Sequence, residues 1–183
     1  MRKALYMLGI LDDVDIDWMV QNGAVRRVRA GTVLIEEKKP IDSLYILLEG
    51  QMSVSVGGTH IANLFPGEII GEISFVDPRP PSASVTALQD LEVLALSRES
   101  LTKKLAKDHG FAERFYRSIA TFLADRLWVT VGRLGYGSGY QDSDVDEVHE
   151  SFFDNISLAA ARFDKLVKHL RSDYRVTAAS SSP

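Results

Sequence analysis

The residues best suited to chemistry lie in one loop, Gly71 to Val85, which reads Gly-Glu-Ile-Ser-Phe-Val-Asp-Pro-Arg-Pro-Pro-Ser-Ala-Ser-Val. It concentrates a carboxylate (Glu72), a guanidinium (Arg79) and the hydroxyls of Ser74, Ser82 and Ser84 alongside two small residues, Gly71 and Ala83. A glycine lets backbone approach a ligand without a side chain in the way, and the amides of a tight turn such as Ile73-Ser74-Phe75 converge on an anion as a small nest. Gly-Glu is also a common turn dipeptide, and Pro78, Pro80 and Pro81 suit an inert surface loop. On these residues alone both readings stand.

Other chemistries are poorly provided for. The chain has no cysteine, which removes disulfides, thiolate nucleophiles and sulfur-ligated metals. His60, His109, His149 and His169 are scattered, so no metal site is expected. Asp142, Asp144 and Asp146 alternate like the acids of a calcium loop, without the glycine and glutamate that such a loop requires. No nucleophile elbow, Walker loop or dinucleotide fingerprint occurs. We therefore expect no catalytic residues and a protein that is not an enzyme.

These residues must be held by a framework of 183 residues, 45% hydrophobic and 25% charged, which is enough for one globular domain with a helical extension. A net charge of -4 provides no global drive toward nucleic acid or an anionic membrane. The N-terminal apolar run is interrupted by Asp12, Asp13, Asp15 and Asp17 and is too short to span a bilayer. A cytoplasmic protein is the default expectation.

Residues 3–23 read as one or two short helices ending near Gly23. From Val25 to Ser97, short segments rich in β-branched residues alternate with Gly, Pro and Asp turns, the pattern of a sandwich or barrel. A short helix follows, capped by Ser97 and ending before Gly110. In the next helix Phe115, Ile119, Phe122, Leu123, Leu127, Val131 and Leu134 recur at three- and four-residue steps as an apolar stripe. Residues 135–147 read as a flexible acidic linker, 148–173 as an amphipathic C-terminal helix and 174–183 as a disordered tail.

The order helix, short strands, helix, long helix over residues 8–134 resembles the cyclic-nucleotide-binding domain of kinase regulatory subunits, gated channels and catabolite-activator-type regulators. Three segments carry the resemblance: Leu44-Tyr45-Ile46-Leu47-Leu48-Glu49-Gly50, Phe65-Pro66-Gly67-Glu68 leading to Gly71-Glu72-Ile73, and Pro80-Pro81-Ser82-Ala83-Ser84-Val85. It implies a mainly β fold, a β-roll or jelly roll with flanking helices. It also implies a phosphate and ribose cassette in which Glu72 accepts from a ribose hydroxyl and Ser82 and Ser84 donate to phosphate or base. Gly71, Glu72, Ile73, Ser74, Arg79, Ser82, Ala83 and Ser84 are the candidate ligand residues. The family pairs the ring phosphate with an arginine, and ungapped matching places Pro81 there.

The resemblance thus implies a regulatory sensor or adaptor with a degenerate cassette, acting through dimerisation or protein contact. The resemblance fixes no cofactor, and cAMP or cGMP is the regulatory ligand it suggests, with Arg79 as the substitute cation in the receptor alternative. The stripe from Phe115 to Leu134 suits a homodimer seam or a relay, and the C-terminal helix suits a protein partner. Only 48 residues follow Gly135 (183 − 135), too few for the winged helix-turn-helix of a catabolite activator. A transcription regulator using Arg114, Arg117, Arg126 and Arg133 is the remaining alternative, with nucleic acid and membrane contact both unexpected.

Overall fold

The computed structural model describes residues 5–133 and 157–170. Helices α1 (Leu5–Ile10) and α2 (Asp13–Asn22) lead into eight strands: β1 (Ala24–Val28), β2 (Val33–Ile35), β3 (Ser43–Glu49), β4 (Met52–Val56), β5 (Thr59–Leu64), β6 (Ile69–Ile70), β7 (Ser84–Ala87) and β8 (Leu91–Ser97). A 3-10 helix, Glu72–Phe75, lies between β6 and β7. Then come α3 (Arg98–Lys107), α4 (His109–Arg133) and a helix over 157–170, here α5.

The strands form two four-stranded antiparallel sheets, ordered β1-β8-β3-β6 and β2-β7-β4-β5. This is the expected jelly-roll arrangement, although no pairing among the described residues closes the two sheets into a barrel.

Strand β3 shows how the sequence builds both cores. Side chains alternate across a strand. Leu44, Ile46 and Leu48 face the helical layer, and Tyr45 and Leu47 face the second sheet. In β8, Leu94 and Leu96 join the helical core while Val93 and Ala95 join the inter-sheet core. A strand covered on both faces has no solvent-facing set, so 44–48 is an unbroken apolar run.

The helical layer departs from expectation at one joint. Ser97 caps α3 as expected, accepting from Ser100 N–H at 3.1 Å. Gly110, however, lies inside α4 rather than after α3. The break is Asp108, whose Oδ1 accepts from Phe111 N–H at 2.9 Å and so starts α4. An aspartate serves a helix start as well as a glycine serves a helix end, and the helices abut without a loop.

Of the helix expected over 148–173, residues 157–170 are helical, and the remainder, with 135–147 and 174–183, lies outside the described residues. Ala159, Leu166 and Leu170 of α5 are buried in the same core as α1, α2 and α4. Arg162 donates to Asp13 Oδ1 (2.8 Å) and to the carbonyls of Leu8 (3.0 Å) and Gly9 (3.1 Å), and Lys165 pairs with Asp17. The apolar face of α5 is therefore seated on its own chain.

A cavity over the Gly71–Val85 loop

The loop from Gly71 to Ala83 crosses from β6, at the edge of one sheet, to β7, inside the other. It begins with a forced conformation. Gly71 has φ 92°, and a Cβ there would stand 2.8 Å from Ile41 Cδ1 and 3.1 Å from Ser43 O. Only glycine meets both conditions at low cost. The reversal starts the 3-10 helix and brings Glu72 inward, where it is 6% exposed. The far end is held by the turn after β2: Lys38 N–H donates to Pro81 O (2.8 Å) and Glu37 N–H to Ser84 Oγ (3.0 Å). A bond from Gly57 N–H, then one from Lys38, holds the Glu37 carboxyl below its usual range.

Between these anchors lies a cavity of about 600 Å³. Its wall contains seven of the eight candidate ligand residues: Gly71, Glu72, Ile73, Ser74, Arg79, Ser82 and Ala83. Ser84 is not in that wall, and its hydroxyl is engaged by the Glu37 amide. Val54, Val56, Ile61 and Leu64 from β4 and β5, with Val85, form an apolar side, and Met7 of α1 and Phe122 of α4 reach it from the helical layer.

The charges are unevenly placed. Among the described wall residues Arg79 is the one cation, beside Glu68, Glu72 and Asp77. Its side chain is 85% exposed and is held by Asp77, Nε donating to Oδ2 at 2.7 Å, while its own N–H donates to Asp77 Oδ1 at 2.9 Å. The Arg79 side-chain bond, then the backbone bond, lowers the Asp77 pKa, and the same pairing raises that of Arg79. Pro81 lies in the wall and offers no charge.

Two residues that matter here escaped sequence reasoning. Arg98, at the start of α3, donates from Nη1 to Ser74 Oγ (3.0 Å) and from Nη2 to Ser74 O (2.6 Å). Its partners are 24 positions away, a separation no local pattern signals. Phe122 has the spacing of the apolar stripe, yet it lines the cavity.

Of that stripe, Phe115 and Ile119 are fully buried and Leu123 packs on the same core, whereas Leu127 is 64% exposed. Val131 lies in α4 and Leu134 outside the described residues. Two of the helical arginines are also engaged: Arg114 with Asp15 and Asp12, and Arg117 with Glu113. Among the described residues no cluster of His and acidic side chains is placed to hold a metal, and no helix is long and apolar enough to cross a membrane.

Residues 25–108 match the family model described as Cyclic nucleotide-binding domain. The chain is 31% identical over 113 residues to the Pycsar effector protein XpPycTIR of Xanthomonas perforans, covering 60% of this chain and 35% of that protein. It is 30% identical over 100 residues to the cGMP-dependent protein kinase egl-4 of Caenorhabditis elegans, covering 52% and 13%. It thus spans about a third or less of the length of these curated relatives. Among solved structures, a cyclic nucleotide-binding domain from Methylobacillus flagellatus superposes with a TM-score of 0.62 at 22% identity, covering 75% of this chain and 84% of that one. That likeness shows the shared fold.

Proposed function

We propose, from the match of residues 25–108 to the cyclic nucleotide-binding domain family model, that this chain is a regulatory sensor taking a cyclic mononucleotide in the cavity over Gly71–Val85. The observation that carries the reading is the cavity itself. At about 600 Å³ it lies within the range of small-ligand sites, and its apolar side with a few convergent polar groups has their usual character.

The residues present fit such a ligand in three respects. Val54, Val56, Ile61 and Leu64 offer an apolar surface for the faces of a base. The Gly71 turn leaves space where any other residue would put a Cβ. Glu72 and Ser82 supply an acceptor and a hydroxyl for sugar and phosphate oxygens.

The phosphate charge is the weaker point. Arg79 must exchange Asp77 for the ligand, and Pro81 adds nothing. Lacking a dedicated charge-assisted bond costs on the order of 1.5–3 kcal/mol, about one to two decades of affinity. A sensor of modest affinity follows. Occupancy is relayed as a population shift, because Met7 and Phe122 carry the cavity wall into α1 and α4. A homodimer seam on α4 would draw on Leu127, since Phe115, Ile119 and Leu123 are used within the chain.

Calorimetric titration of nucleotide-free protein with cAMP, cGMP and their pyrimidine counterparts tests this. The expected result is micromolar binding of at least one, weakened about tenfold in Arg79→Ala. Absence of binding by all of them would overturn it and favour the second reading, an adaptor that keeps the fold without the ligand. The Asp77–Arg79 pair and Pro81 are the observations behind that alternative.

A further inference from the structure

We propose that Arg98 is the positioning residue of the ligand-binding turn, setting the phosphate side of the cavity from behind through Ser74. The proposal rests on the cyclic-mononucleotide reading above. Arg98 is fixed at its own backbone, its N–H donating to Asp42 O at 2.7 Å. Its guanidinium takes both oxygens of Ser74, Oγ at 3.0 Å and O at 2.6 Å, and lies 4.8 Å from the centroid of the Phe75 ring.

Ser74 Oγ in turn donates to Gly71 O at 2.7 Å. A continuous path therefore runs from α3 through Ser74 to the left-handed residue that shapes the turn. The only proton on the Ser74 hydroxyl is used on Gly71, so Ser74 acts as a strut and not as a ligand donor.

Three features make Arg98 specific for this task. The planar fork reaches two acceptors at once while stacking on an aromatic ring, which a lysine does not reproduce. A full positive charge bonded to the Ser74 carbonyl favours an anion on the opposite, cavity side of the turn. The wall is otherwise short of such charge, since Arg79 is its one cation among the described residues and is held by Asp77.

The experiment compares two ligands on the full chain: the cyclic mononucleotide bound best by the wild type, and the matching nucleoside, which has the base and sugar without the phosphate. Binding of each is followed by NMR titration, which reads millimolar as well as micromolar affinity. Arg98→Met is expected to weaken the cyclic nucleotide about tenfold or more while changing the nucleoside by less than about twofold, and Arg98→Lys to recover part of the loss. Ser74→Ala provides the same comparison if Arg98→Met does not fold. A loss shared equally by both ligands, or no loss, overturns the proposal.

If either ligand fails to bind the wild type, amide exchange at residues 72–76 of the ligand-free protein decides. Faster exchange in Arg98→Met or Ser74→Ala supports the positioning role, and unchanged exchange overturns it. Failure of all cyclic mononucleotides to bind wild type counts against the sensor reading and is thereby distinguished from failure of Arg98.

Discussion

Gly71 concentrates the demands of the site in one backbone angle. An alanine there would adopt an unfavourable φ and also press on Ile41 and the Ser43 carbonyl. Gly71→Ala is expected to cost about 1–3 kcal/mol, read as a lower urea midpoint. Asp77 tests the opposite case, a contact that restrains function. Asp77→Asn should free Arg79 and tighten binding of the cyclic mononucleotide a few-fold by calorimetry, and tighter binding should disappear when Arg79→Ala is added. That Gly71, Glu72, Ser82 and Ala83 share one cavity wall follows from the family-like segments that carry them and not from the residues taken singly, and Ser84, grouped with them in the sequence, instead accepts from the Glu37 amide. Asp77 and Arg98 were not legible in the sequence, since an aspartate before a proline and an arginine opening a helix are both ordinary.

Helix α4 is joined to α2 by an ion pair of unusual depth. Asp15 is 1% exposed and accepts from Arg114 Nε at 2.7 Å and Nη2 at 2.9 Å, while its Oδ2 also takes the Asp12 N–H at 2.8 Å. Removing Arg114 leaves the buried Asp15 carboxylate with the Asp12 amide but no countercharge, so Arg114→Ala is expected to lose about 3 kcal/mol in chemical denaturation. Arg117→Ala, next to an exposed Glu113, should lose less than about 0.5 kcal/mol by the same measurement. From the sequence the two arginines look alike, since each lies near an acid and helical spacing does not reveal which one a distant helix covers. Helical periodicity did give the buried start of the stripe, Phe115 and Ile119. It could not show that Phe122 turns to the cavity, because that depends on where the second sheet stands.

Across the molecule, the acidic start of α2 meets the basic residues of α5. Arg162 is 11% exposed and ties Asp13 to the end of α1, and Lys165 ties Asp17. Arg162→Glu is expected to detach α5, read as faster amide exchange over 157–170, and Asp13→Arg in the same chain should restore part of the protection. The bond from Arg162 lowers the Asp13 pKa, so this contact stabilises the fold above the usual aspartate range. It weakens as pH falls through the depressed folded value. Protection factors over 157–170, corrected for the intrinsic pH dependence of amide exchange, should therefore fall in acid, and less so in Asp13→Asn. Charge pattern and amphipathic spacing gave the existence of both partners in the sequence. Their pairing spans about 150 positions, and only the folded chain brings it about.

Helix α1 has six residues, Leu5–Ile10, well below the roughly 12 that an isolated helix needs to hold together in water. It is held by the burial of Met7 and Leu8 in the helical core and by Arg162, which donates to the carbonyls of Leu8 and Gly9. A turn and a half of helix so placed has little stability of its own to lose, and its order is borrowed from the core and from α5.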